Sequence, residues 1–265
     1  MKPDNQFFAE IDGFNTEVLT YNSGFDEILI GLHGFAGSAR TFRRMATYLP
    51  KELTFYSVSL PWHGETECAS DSKLLSLESY ADGLAKWITS LKPKKVHLVA
   101  HSFGARIASM LAIRYPDLVF QMFYLAPGGF YPWEDFMFRF MGTQPFRYLG
   151  KFDFFLRPYA KFMIPGMKPD KEKVILSSLR KIGWSFPGVS LRKNNQLKHL
   201  NKYSGKLWLL MGRKDHLLPP SYSKTISGYW TNCEIMIFEK SGHLPMADNP
   251  KQVGMFISDK IEASS

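Results

Sequence analysis

The chain has 265 residues, 45% of them hydrophobic and 22% charged, an ordinary balance for a globular protein of one large domain, or of one domain with a sizeable insertion. Its two cysteines, Cys68 and Cys233, form neither a secreted disulfide framework nor a metal-binding pair and read as reduced thiols. The net charge of +9 raises nucleic-acid binding, but residues 130–200 alone hold 13 Lys and Arg against five Asp and Glu; the basic charge sits in one aromatic-rich segment with no recognition motif, which argues against that class.

The elements follow in chain order. The first thirteen residues, MKPDNQFFAEIDG, lack the apolar run of a signal peptide, and the expectation is a cytoplasmic protein. No apolar stretch is long enough for a transmembrane segment. Phe7–Tyr21 reads as antiparallel edge strands, and Glu27–Leu32 as a buried strand entering a glycine turn. Phe42, Met45, Ala46 and Leu49 suggest a helix over Arg40–Leu49, and Leu53–Leu60 a strand stopped by Pro61. Leu77, Tyr80, Ala81, Leu84, Trp87, Ile88 and Leu91 share one face of a predicted helix. Strand Lys95–Ala100, helix Phe103–Tyr115 and strand Val119–Ala126 follow, the helix ending before Pro116.

The alternation then lapses. Phe130–Leu200 shows no strand pattern and many prolines. It resumes with strand Lys206–Met211, a helical stretch at Pro220–Gly228, strand Glu234–Phe238 and a terminal helix Asn249–Glu262. Strands alternating with helices indicate an α/β fold with a mostly parallel, doubly wound sheet. One insertion divides it, giving a core of residues 1–129 and 201–265 and an inserted segment of residues 130–200.

Chemistry-bearing residues cluster after strands. Ala100-His101-Ser102-Phe103-Gly104 joins a strand to a helix, where a sharp turn projects the serine hydroxyl above the sheet edge and needs small residues two positions either side. His33-Gly34-Phe35-Ala36-Gly37 follows the first buried strand, so the main-chain N–H groups of Phe35 and Phe103 are candidates to converge on an oxyanion. Such donors are worth about 10²–10³ in rate each. Asp215 follows strand Lys206–Met211 and by itself is better read as a solvated loop residue beside Arg213 and Lys214. Of seven histidines, only His243 combines a late loop position with a flanking glycine. No HExxH, GxGxxG or GxxxxGK[ST] motif occurs, so neither a metal nor an organic cofactor is expected.

Taken together, HGFAGS, AHSFGA, GRKDHLLP and SGHLPMADNP resemble the α/β-hydrolase superfamily, in the branch with a serine nucleophile and an esterase- or lipase-like architecture. The resemblance covers most of the chain outside residues 130–200. It implies that Ser102 is the nucleophile, Asp215 the acid and His243 the base, in the chain order of that fold. It also implies that residues 130–200 are a mainly helical cap, inserted after the strand ending near Ala126. Two departures stand out. Ala100 replaces the commoner glycine before the nucleophile. Ser59-Leu60-Pro61-Trp62-His63-Gly64 stands where many relatives carry Asp-x-Pro-Gly-x-Gly, so Trp62 is expected to add bulk near the pocket.

The function so implied is hydrolysis of carboxylic esters through an acyl-enzyme, on small to medium apolar acyl groups. A thioesterase, a C–C bond hydrolase or lyase, and a non-catalytic ligand receptor remain alternatives. The partner is a small-molecule ester or thioester, with an anionic one as an option. The rings of Phe136, Phe138, Phe140, Phe146, Phe152, Phe154, Phe155, Tyr159 and Phe162 are expected mainly in the cap's own core, with some as candidates to line an acyl pocket. The basic charge reads either as a solvated face or as a surface that steers anions or weakly touches a membrane. Oligomeric state is not legible.

Overall fold

Runs such as EILIGL, KVHLVA and QMFYL are too short for a stable helix and rich in residues that pack on a pleated surface. In the computed structural model, which describes residues 1–68, 76–134, 149, 152–163, 169–182 and 196–264, they form the centre of one sheet. Its strands are β1 (Asn5–Ile11), β2 (Phe14–Tyr21), β3 (Glu27–Leu32), β4 (Thr54–Val58), β5 (Glu67–Cys68), β6 (Lys95–His101), β7 (Gln121–Leu125), β8 (Lys206–Gly212) and β9 (Cys233–Phe238). Their order is β1-β2-β4-β3-β6-β7-β8-β9, with the two-residue β5 paired to β2. β1, β2 and β5 are antiparallel to their neighbours, as the edge-strand reading of Phe7–Tyr21 expects, while β3 pairs in parallel with β4 and β6, and β6 to β9 pair in parallel in turn.

Parallel strands bury both faces, so their side chains divide between two cores. Ile28, Ile30, Leu32, Leu98 and Ala100 pack with Tyr80, Leu84, Ile107 and Leu111 on one side. Leu29, Val99, Phe123 and Leu210 pack with Phe42, Met45, Val253 and Ile257 on the other. The first layer is α1 (Leu77–Ser90) and α2 (Phe103–Arg114). Helix α1 buries Leu77, Tyr80, Ala81, Leu84, Trp87 and Ile88 as its periodicity predicts, and the Ser76 side chain caps it by accepting from the Ser79 N–H.

Two helices, α3 (Asp153–Met163) and α4 (Pro169–Ile182), lie between β7 and β8 in the chain. Leu156, Ala160, Leu176 and Leu179 form a small core between them, against Phe35 and Ala36. After β8 come the five-residue α5 (Ser223–Ser227), α6 (Pro245–Asp248) and α7 (Pro250–Glu262).

One local expectation changes. The helix predicted over Arg40–Leu49 is instead two 3₁₀ turns, Ala39–Phe42 and Met45–Tyr48. The apolar positions run 42, 45 and 46, 49, a spacing of three that suits three residues per turn. The stretch expected to be helical at Pro220–Gly228 is so, as a 3₁₀ turn running into α5. Among the described residues no helix is long and apolar enough to cross a membrane.

Candidate active site

The site follows from strand register. β3 and β6 are parallel neighbours with Leu32 opposite Ala100, so the segments leaving them, His33–Phe35 and His101–Phe103, run side by side at the carboxyl edge. The chain turns to β4 on one side of β3 and to β6 on the other. That change of direction opens the crevice where open α/β sheets hold ligands.

Ser102 stands at the head of α2 with φ 46° and ψ −112°, in the left-handed half of the map where a residue with a Cβ is strained. Its surroundings hold it there. Its N–H donates to the Leu125 carbonyl at 3.1 Å, and its own carbonyl accepts from Gly128 at 2.9 Å and Ala105 at 3.0 Å. Gly104 makes the turn sterically feasible, since a Cβ there would run into the Leu32 carbonyl. Gly34 does the same for the neighbouring loop: a Cβ would fall 2.5 Å from the His101 ring and 3.0 Å from the Ser102 Cβ.

The structure brings Ser102, His243 and Asp215 together. The Ser102 hydroxyl lies 3.2 Å from Nε2 of His243, and Nδ1 of His243 lies 2.9 Å from Oδ2 of Asp215. Oδ1 of Asp215 accepts the N–H groups of Leu217 and Leu218, both at 2.9 Å. With one oxygen so held, the other faces the imidazole. The Asp215 side chain is fully buried, that of His243 is 10% exposed, and Ser102 is 8% exposed. The arrangement can move a proton from the hydroxyl to an imidazole whose far side rests on a buried carboxylate.

Phe103 begins α2 directly after Ser102, and Phe35 lies in the loop whose Gly34 touches Ser102. The next amide in that loop, of Ala36, donates to Nε2 of His63 at 3.0 Å and is thereby turned to the scaffold. His63 in turn donates from Nδ1 to the Pro61 carbonyl at 2.8 Å. His33 is arranged in the same way, accepting from the Leu60 N–H at 2.9 Å and donating to the Gly34 carbonyl at 2.7 Å. Burial first, and then the neighbouring His63, hold the His33 pKa well below the usual imidazole value. It therefore stays neutral, as those two bonds require.

Sequence reasoning missed three supports of the site. His101 is buried and bonds through Nε2 to the His243 carbonyl; burial, and then the nearby His243, depress its pKa to about 3. Arg106, fully buried on α2, lies 3.5 Å from the Glu134 carboxylate. Glu134 also accepts the N–H groups of Gly129 at 2.8 Å and Tyr131 at 3.2 Å, tying the loop after β7 to the helix that follows Ser102. Glu17, buried on β2, accepts from the Ser59 hydroxyl at 2.7 Å, the Glu65 N–H at 3.0 Å and Arg40 at 2.6 Å. It supplies from another strand the carboxylate that Ser59 lacks in the motif. Only the unusual placement of a charge inside an apolar run signals Glu17 and Arg106 in the sequence.

The bulk expected from Trp62 is directed inward. Its ring packs edge-on against Phe14 at 5.1 Å, beside the core that includes α1, and its φ of 61° is the conformation a glycine would adopt without strain. The aromatic segment also differs from expectation. Phe152, Phe154 and Phe155 are exposed rather than buried in a cap core. Phe136, Phe138, Phe140 and Phe146, and the side chains of Tyr159 and Phe162, lie outside the described residues. Among the described residues no group of three or more His, Cys, Asp or Glu side chains is gathered to hold a metal.

Comparison with known proteins agrees with this architecture. A model of the alpha/beta hydrolase family matches residues 29–254. The chain is similar to the Bacillus subtilis (strain 168) protein called uncharacterized hydrolase YugF, at 22% identity over 95% of this chain and 96% of that one. It is similar to the Homo sapiens monoacylglycerol lipase ABHD6 at 24% identity, over 89% of this chain and 75% of that one. Among solved structures, a thermophilic esterase from Thermogutta terrifontis matches with a TM-score of 0.75 at 18% identity over 94% of both chains, a likeness of fold.

Proposed function

Since this chain belongs to the alpha/beta hydrolase family, we propose that it is a serine hydrolase cleaving carboxylic esters through an acyl-enzyme on Ser102. The observation that carries the reading is the continuous chain from Ser102 through His243 to Asp215, at 3.2 and 2.9 Å. The similarity to a monoacylglycerol lipase supports ester substrates, and apolar acyl groups of small to medium size remain the reading for the pocket.

His243 accepts the Ser102 proton as the oxygen attacks the acyl carbon. Asp215 keeps the imidazole in the tautomer with its proton on Nδ1 and stabilises the imidazolium that forms. The tetrahedral oxyanion is taken by the N–H groups of Phe35 and Phe103. His243 then returns the proton to the departing alcohol. Water, activated by the same imidazole, attacks the acyl-enzyme and releases the acid. Residues 130–200 act as a helical cap over this centre, and the protein works in the cytoplasm.

The test is a panel of esters and thioesters of graded acyl length, with fluorophosphonate labelling. Wild type should turn over esters and label at Ser102, while Ser102→Ala should lose label and about 10⁴–10⁶ in kcat with its fold unchanged. A reactive thioester beside inert esters would reassign the substrate. A serine that neither labels nor turns over any member of the panel would leave a ligand receptor.

A further inference from the structure

We propose that the outward face of α3 docks on the surface of an anionic lipid bilayer. This inference is independent of the hydrolytic reading. The helix is two-sided. Leu156 and Ala160, one turn apart, are buried against α4 and Phe35, while Phe154 is 79% exposed and Phe155 46% exposed. Their rings meet edge to face at 5.2 Å, and Phe152, just ahead of the helix, is 48% exposed. Large rings in water at the tip of one short helix are unusual for a face that only meets solvent.

Charge indicates the occupant. Pro158, Arg157 and Lys161 share the exposed side with Phe154. Arg157 and Arg180 reach Glu172 and Asp153 at 3.6 and 3.2 Å while remaining about half exposed. Helices α3 and α4 together carry six basic against three acidic residues. Phenylalanines flanked by Arg157 and Lys161 suit the boundary between acyl chains and anionic headgroups, where the rings leave water and the cations stay in it. A second copy of the chain would set this basic face against itself. The buried side of α3 rests on Phe35, next to Gly34 and Ser102, so docking turns the rim of the Ser102 crevice toward the lipid.

The experiment is co-sedimentation of the full chain with vesicles of phosphatidylcholine alone or doped with phosphatidylglycerol. Binding should be at least about tenfold tighter to the doped vesicles and should weaken as salt rises. Phe154→Ser combined with Phe155→Ser should lower it by about tenfold or more, with unchanged circular dichroism and unchanged turnover of a water-soluble ester. Lys161→Glu should lessen the preference for phosphatidylglycerol. Phe154→Trp should show a blue-shifted emission increment on adding doped vesicles, which reads insertion without removing an aromatic ring. No sedimentation with either vesicle, equal binding by the double variant, or a Phe154-dependent dimer in ultracentrifugation without vesicle binding would each overturn the proposal.

Discussion

His101 donates from Nε2 to the main-chain carbonyl of His243 at 2.8 Å, and the two rings lie 4.9 Å apart. The residue before Ser102 thus holds the loop that carries His243. Its other ring nitrogen faces Gly34, across the loop of Phe35. A buried, neutral imidazole here fixes His243 without setting a second positive charge against the imidazolium that the proposed mechanism forms.

His101 is therefore a positioning residue. His101→Leu should lower kcat about tenfold with little change in KM, because it strands a buried carbonyl and loosens the base. It should also move the acid limb of the pH–rate profile. His101→Gln, which keeps an N–H donor at similar reach, should restore most of both. Equal kcat and an unmoved profile in His101→Leu would remove the role.

Asp215 gives a sharper test of tautomer control. Its Oδ1 is fixed by two N–H donors, so Asp215→Asn must keep its carbonyl oxygen there and turn its NH₂ toward His243. The imidazole then carries its proton on Nε2 and cannot accept from Ser102. We expect kcat to fall about 10⁴-fold with a minor loss of stability; single-turnover kinetics and thermal unfolding check the two parts.

Acid should destabilise the fold before its carboxylates titrate. Burial lowers the pKa values of His33, His97 and His101 in the folded chain, whereas in the unfolded chain each titrates near about 6.5. Below that pH the unfolded state binds more protons, so stability is full above it and declines as pH falls. For His101 the decline continues to about 3. The slope is at most about 1.4 kcal/mol per pH unit for each histidine. Urea unfolding at a series of pH values measures it, and His101→Gln should flatten it by one proton's share.

The Arg106–Glu134 pair makes a stability prediction. Glu134→Leu removes the buried partner of a buried guanidinium and the acceptor of two amides, and should destabilise by about 3–5 kcal/mol. Arg106→Met combined with Glu134→Leu should recover part of that loss. Denaturant midpoints at neutral pH compare the three chains; a double variant no better than the single one would show that the guanidinium's charge is not the issue.

The sequence by itself determined what depends on neighbours in the chain. The buried face of α1, the runs that became β3 and β6 and the strand-to-helix turn at Ser102 follow from short-range periodicity and turn chemistry, while the order Ser102, Asp215, His243 was legible through the resemblance of four loop motifs to the α/β-hydrolase superfamily. The tertiary structure decided everything that hangs on strand order. Ser102 and His243 are 141 residues apart, and they meet only because β6, β7, β8 and β9 lie side by side. The same packing gave Ser59 its carboxylate from Glu17 on β2, turned Trp62 toward Phe14, converted Arg40–Leu49 into two 3₁₀ turns and left Phe154 in water. The physical reason is one of range. Propensity and period act over a turn or a strand, whereas burial and charge pairing are settled by whichever distant segments the sheet brings into contact.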